Sequence, residues 1–208
     1  MRSVEQPGYD AMAALYAATF PHPFLTPLEE HAVAAFADTV RDLRADGPVV
    51  DVGCGLGQVT AFLAERGLAS IGIDPSEQML ARASHEFPHL DFVRGDATLA
   101  QLGGDLPIAA ILARFSLIHI PPENVPDVLR CWASRTSAGA PVLVACQISS
   151  HTGEVEQFDH KVAPAWRWHP DRLAAALSDA GFDEVWRAVS QPDDQHRFAD
   201  VHMLATRR

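Results

Sequence analysis

Short, continuously apolar runs alternate with amphipathic segments of helical length through the middle of the chain. Pro48 to Val52 reads as a buried strand ended by Gly53, and Ser70 to Asp74 as a second. Leu90 to Arg94 makes a third strand. Ile108 to Phe115 makes a fourth, apolar on both faces as a central parallel strand requires, and Pro141 to Ala145 a fifth. Between them, a helix containing Ala61 to Arg66 is closed by Gly67, a common helix-end residue. A second is opened by Pro75-Ser76-Glu77 and runs to about Glu86, and a third spans about Glu123 to Ser134. The alternation predicts an open α/β sheet with helices on both faces.

The two ends break this rhythm. Tyr9 to Leu43 is helical in pattern but interrupted by Pro21, Pro23 and Pro27, which predicts two or three helices packed as a cap. Ser149 to His169 reads as irregular and is followed by a helix over Pro170 to Ala180, ended by Gly181. Glu184 to Val189 and Ala199 to Ala205 read as strands joined by the polar turn Gln191-Pro192-Asp193-Asp194, a terminal hairpin at the sheet edge.

Composition narrows the function classes. The 208 residues are 48% apolar and 21% charged, which excludes wholesale disorder and suits one domain. With 16 basic residues against 27 acidic ones the net charge is −11, unsuited to broad phosphate-backbone binding. Met1 to Pro7 has no basic segment leading into an apolar one, so no secretory signal is expected, and no apolar stretch is long enough for a membrane span. Cys54, Cys131 and Cys146 form neither an even framework nor a CxxC pair. A reduced, cytoplasmic protein is the expectation.

The strongest chemical signal is Val49-Val50-Asp51-Val52-Gly53-Cys54-Gly55-Leu56-Gly57, a strand running into glycines and then a helix. Glycine lets a ligand approach the backbone, and the N–H groups at the following helix start favour an anionic group. Asp74 ends the next strand, where a carboxylate can accept both hydroxyls of a ribose. A dinucleotide fold uses the same devices, but its G-x-G-x-x-G pattern fails here on Gln58.

The pattern Asp-x-Gly-x-Gly-x-Gly instead resembles motif I of the class I S-adenosylmethionine-dependent methyltransferases. The resemblance covers nearly the whole chain and implies a Rossmann-like, doubly wound, mostly parallel seven-stranded sheet with an antiparallel terminal hairpin and an N-terminal helical cap. It implies one methyltransferase domain over 1–208, with the cap at about 1–45 and a substrate-side insertion at about 149–169. It also implies that Gly53, Gly55 and Gly57 carry the methionine part of S-adenosylmethionine and that Asp74 holds the ribose. Asp51 either orients the loop near the cofactor's amino group or fixes it structurally. Asp74-Pro75-Ser76-Glu77-Gln78-Met79-Leu80 matches the family's next segment, where Pro75 follows the ribose acid and Met79 packs on the adenine. Gly95-Asp96-Ala97 matches the one after, with Asp96 accepting the adenine amino group and Ala97 beside it. Ala113-Arg114-Phe115-Ser116-Leu117-Ile118-His119 matches the strand-four end that faces the methyl group.

Methyl transfer from a sulfonium is an in-line displacement, and a base is needed only when the nucleophile must lose a proton. His119, at the mouth of the expected site, is the candidate base; packing at the strand end is its other reading. Arg114 faces either the cofactor or an acidic substrate. Tyr9 and Tyr16 lie two turns apart on one helix face, and the resemblance implies that a cap tyrosine, here Tyr16, meets the cofactor carboxylate unless it only packs. Phe158, His160, Trp166 and Trp168 either line the substrate pocket with Phe115 or pin the insertion to the core.

No metal site is expected, because Pro88 breaks the helix that would align His85 and His89. The Asn/Asp-Pro-Pro-aromatic motif of exocyclic-amine methyltransferases is missing after strand four. With the acidic charge, this favours a small-molecule acceptor, no nucleic acid, no membrane, and a monomer or homodimer that releases S-adenosylhomocysteine. The pattern is similar to the ubiquinone/menaquinone-biosynthesis-like group, whose members methylate oxygen, nitrogen or carbon. A nucleotide-dependent oxidoreductase on a related fold and a non-catalytic S-adenosylmethionine-binding domain are the rival readings.

Overall fold

A computed structural model describes residues 7–194 and 196–208; the segment in which no secretory signal is expected lies outside the described residues through position 6. Five parallel strands are β1 (Val49–Val52), β2 (Ser70–Asp74), β3 (Asp91–Arg94), β4 (Ala110–Arg114) and β5 (Pro141–Gln147). A small hairpin, β6 (Val155–Phe158) and β7 (Ala165–Trp168), stands apart, and β8 (Phe182–Val189) and β9 (Asp200–Arg207) complete the sheet. Its order is β3-β2-β1-β4-β5-β9-β8, with β9 antiparallel to both neighbours. The doubly wound, seven-stranded sheet with its terminal hairpin is therefore present as expected.

The helices are α1 (Gly8–Thr19), α2 (Pro27–Leu43), α3 (Gln58–Glu65), α4 (Glu77–Glu86), α5 (Val125–Arg135) and α6 (Pro170–Asp179). The N-terminal segment resolves into two helices. Thr26 caps α2 by accepting from the Glu29 N–H at 3.3 Å, with Pro27 at the first helical position where no N–H is needed. Ser76 caps α4 through the Met79 N–H.

Strand periodicity sorts the core into two layers. Val49, Ala110, Leu112, Leu143 and Leu204 face α2 and α3, meeting Val33, Phe36, Ala37, Val40 and Leu63. Val50, Ile111, Ala113, Val142, Val144 and Met203 face the other way, against α5 and α6 residues that include Leu129, Trp132, Leu173 and Leu177. Trp132 is fully buried and donates its indole N–H to Ala97 O at 2.7 Å. Trp132→Ala is expected to lower the unfolding free energy by about 3–5 kcal/mol, through the cavity and the orphaned carbonyl, in a urea titration.

Two expectations differ from the structure. The fourth strand is shorter than Ile108 to Phe115: Ile108 makes only an isolated bridge to Thr136, and Phe115 leaves the sheet with φ 51°. Ser149 to His169 is not irregular throughout but carries the β6–β7 hairpin, paired from Val155↔Trp168 to Phe158↔Ala165. Its alternation was obscured because Ala165 and Trp168 are both buried while Trp166 and Arg167 are half-buried.

Candidate functional site

Strand order reverses between β1 and β4, and in open α/β sheets the crevice at the carboxyl ends of such strands is where ligands sit. The glycine loop leaves β1 there. The N–H groups of Gly53 and Cys54 both donate to Ile73 O, at 2.7 and 3.0 Å. Gly53 has φ 74°, and a Cβ on it would lie 2.3 Å from Ser116 Cβ at the end of β4. The β1 and β4 ends can close together only without that atom. Gly53→Ala is expected to cost about 1–3 kcal/mol of stability, read as a lowered denaturation midpoint. Around Gly55, by contrast, a Cβ would meet nothing within 4 Å, so the loop is open on that side. Gly57 precedes α3, whose N-terminus has no side-chain cap.

Three aspartates organise this edge. Asp51 is buried and accepts from Thr60 Oγ1 at 2.7 Å, tying β1 to α3; burial pushes its carboxyl up to about 6. Asp74, also buried, accepts from the Gly55 N–H at 3.0 Å and the Ser76 N–H at 2.8 Å, and burial raises its carboxyl. Asp10 of α1 accepts from Ser76 Oγ at 2.6 Å and from the Gln78 N–H at 3.0 Å, locking the cap onto the start of α4. Pro75 is exposed and Met79 buried. Asp96 is exposed and turns the chain by accepting from the Thr98 N–H at 2.9 Å; Ala97 beside it is half-buried.

The end of β4 carries the charged and aromatic groups. Arg114 pairs with Glu29 of α2 at 2.7 Å and donates to Pro23 O at 3.1 Å. His119 Nδ1 lies 2.9 Å from Pro164 O and its Nε2 lies 2.8 Å from the Tyr9 hydroxyl. A carbonyl can only accept, so Nδ1 carries the proton and Nε2 accepts from Tyr9. Burial pulls the imidazole below its usual value and raises the Tyr9 phenol well above its own.

Tyr16, the cap tyrosine singled out in the sequence, stacks edge-on against Tyr9 at 6.0 Å and tilts on Phe20 at 4.7 Å. His160 packs against His119 at 4.8 Å and Phe158 at 5.7 Å, so the insertion does reach the strand-four end. Burial and the neighbouring His119 drop His160 to about 4. Trp168 is buried in the core layer, whereas Trp166 is half-buried on β7.

The structure thus brings Asp51, the three glycines, Asp74, Arg114, Phe115 and His119 to one edge, and adds groups that the sequence reading left outside the site. Tyr9, Asp10, Glu29, His196, Asp200 and His202 are the additions. Asp200 and His202 had a signal: two polar residues spaced by two in an otherwise apolar strand share a face that ought to be buried. Among the described residues, His151, Glu154 and Glu156 also come close enough to share an ion, although Glu156 already pairs with Arg167 at 2.6 Å.

The chain is similar to known methyltransferases. Residues 49–139 match a family model described as a methyltransferase domain. A trans-aconitate 2-methyltransferase of Streptomyces coelicolor is 31% identical over 160 residues, covering 71% of this chain and 50% of the relative. An uncharacterized methyltransferase of Alkaliphilus oremlandii is 33% identical over 120 residues, covering 56% and 52%. The chain spans about half the length of the curated relatives it matches. Among solved structures, the magnesium protoporphyrin IX methyltransferase of Synechocystis with bound S-adenosylmethionine superposes with a TM-score of 0.71 at 18% identity, covering 96% of this chain and 93% of that one. The 1,6-didemethyltoxoflavin-N1-methyltransferase of Burkholderia thailandensis gives 0.68 at 18% identity, covering 94% and 87%. Residues 49–139 form a methyltransferase domain, set in the fold of the class I S-adenosylmethionine-dependent methyltransferases.

Proposed function

We propose that this chain is a single methyltransferase domain that binds S-adenosylmethionine across the carboxyl ends of β1, β2 and β4 and methylates a small-molecule acceptor. The observation that carries this reading is Asp74: a buried carboxylate at the end of β2, beside the open side of Gly55, within the matched domain. The edge fits the cofactor chemically. Asp74 offers acceptors for a diol, the loop and the uncapped α3 start offer N–H donors, and Asp96 and Ala97 follow β3 on the adenine side, whereas Met79 is buried in the core rather than open to a ring. Bound S-adenosylmethionine supplies an electrophilic methyl group on a sulfonium.

The residues of the chain position, shield and move protons. Asp51 braces the glycine loop through Thr60, and Asp10 holds the cap with Tyr9 and Tyr16 over the edge. The helical cap and the insertion at 149–169 close the acceptor side and exclude water. Where the acceptor carries a proton, that proton passes to Tyr9 Oη as the Tyr9 proton moves to His119 Nε2, with Nδ1–H held on Pro164 O. Calorimetry with S-adenosylmethionine and S-adenosylhomocysteine tests the binding; saturable NADH binding in its place would overturn the reading. With an identified acceptor, Tyr9→Phe and His119→Ala are each expected to lower kcat at least about a hundredfold. Because burial depresses His119, the wild-type rate should already be at its plateau at pH 7 and fall only on acidification below the usual histidine range. Unaltered rates in both variants would remove the pair from the chemistry.

A further inference from the structure

On the face of the sheet that packs against α2, the last rung at the carboxyl edge is polar. Strand pairing sets Arg114, Ala145 and His202 side by side on β4, β5 and β9, with Gln147 opposite Asp200 next to them. Leu112, Leu143 and Leu204 fill the same face one step earlier. Glu29 closes the rung from α2: one carboxylate oxygen takes Arg114 and the Leu25 N–H, and the other lies 3.0 Å from His196 Nε2 in the β8–β9 loop. Asp200 and His202 are only 3% and 2% exposed. Yet Arg114 Nε, Gln147 Oε1, Asp200 Oδ1 and both ring nitrogens of His202 are buried with no hydrogen-bond partner among the described residues. Buried polar atoms are almost always paired, so the rung around the single methyl of Ala145 carries hydrogen-bonding capacity that the described residues leave unused.

We propose that this rung is the acceptor-recognition pocket, and that it selects a hydroxyl- or amine-bearing acceptor over a carboxylate. The proposal rests on the methyltransferase reading. Gln147 Oε1 and ionised Asp200 can only accept hydrogen bonds. Arg114, the permanent cation of the rung, is already matched by Glu29 at 2.7 Å. A carboxylate placed here would face both Glu29 and Asp200 with no free positive charge to offset them. A hydroxyl donates to Asp200 or Gln147 while its own lone pair takes Arg114 Nε–H, and an ammonium, which has no lone pair, donates to both acceptors. Burial, with Arg114 and His196 nearby, drops His202 to about 3, so its neutral ring adds one donor and one acceptor. Phe115 joins the rung to the Tyr9–His119 side, its ring standing edge-on to His202 at 6.1 Å.

The test is thermal unfolding of the full chain, first with S-adenosylhomocysteine alone, then saturated with it and titrated with probes. Catechol and 2-phenylethylamine are the donor probes; benzoate and trans-aconitate are the carboxylates. Donor probes should raise the melting temperature further, carboxylates should not, and Asp200→Asn and Gln147→Leu should each weaken donor-probe affinity about tenfold while keeping the S-adenosylhomocysteine shift. Stabilisation by the carboxylates, by none of the probes, or by donor probes equally in wild type and both variants would overturn the pocket. Absence of the S-adenosylhomocysteine shift itself would instead overturn the methyltransferase reading, and the pocket with it.

Discussion

Glu29→Ala should lower the unfolding free energy by about 3–5 kcal/mol, measured by urea denaturation at neutral pH. The side chains of Glu29 and Arg114 are 6% and 10% exposed, and Arg114 Nε is already unpartnered. Removing the carboxylate leaves a buried guanidinium that cannot shed its proton without its ion-pair partner, one step along the sheet from Leu112, Leu143 and Leu204. It also releases His196 and with it one tether of the β8–β9 loop. The double variant Glu29→Leu/Arg114→Met should regain most of the loss, because a buried ion pair is worth little over apolar groups of similar volume. A loss below about 1 kcal/mol in the single variant, the range of an exposed pair, would mean that the Arg114–Glu29 contact is solvated.

Asp74→Ala should weaken S-adenosylhomocysteine binding about a hundredfold by calorimetry while the protein still unfolds cooperatively. Two charge-assisted hydrogen bonds at about 1.5 kcal/mol each give that factor. Stability should change far less. Burial raises the Asp74 carboxyl, so its ionised form is disfavoured in the folded chain relative to the unfolded one, and stability linked to it declines as pH rises through the raised value. Alanine removes that liability along with the bonds to Gly55 and Ser76. An unchanged affinity would break the ribose assignment.

Much of this edge could be read before any contact was known, and the reason is local. The β1 strand, its glycines and the end of β2 depend on short-range sterics: only glycine takes φ 74° at Gly53 with Ser116 against it. The parallel strands announce themselves because β1, β4 and β5 are buried on both faces and so read as unbroken apolar runs. The β6–β7 hairpin is illegible for the converse reason, since its burial follows β5 and the turn at Leu117–His119 beneath it rather than a clean alternation of its own.

Glu29 shows where local reading stops. Thr26-Pro27-Leu28-Glu29 has the spacing of a capping box, which would spend the glutamate on its own helix start. Its carboxylate instead reaches the Leu25 N–H, Arg114 and His196, groups far apart in the chain. Tyr9 and Tyr16 are likewise equivalent on a helix face, and only the docking of α1 through Asp10 onto Ser76 puts Tyr9 on His119.

By itself, then, the sequence determined the order of strands and helices in the seven-stranded sheet, the glycine loop and the acids of β1 and β2. Each of these follows from backbone geometry and burial within a few residues of itself. The tertiary structure decided which polar side chains meet: Tyr9 with His119, Glu29 with Arg114 and His196, and the unpaired rung of Gln147, Asp200 and His202. Those meetings depend on strand register and helix docking across distant segments, and a chain's local pattern carries neither.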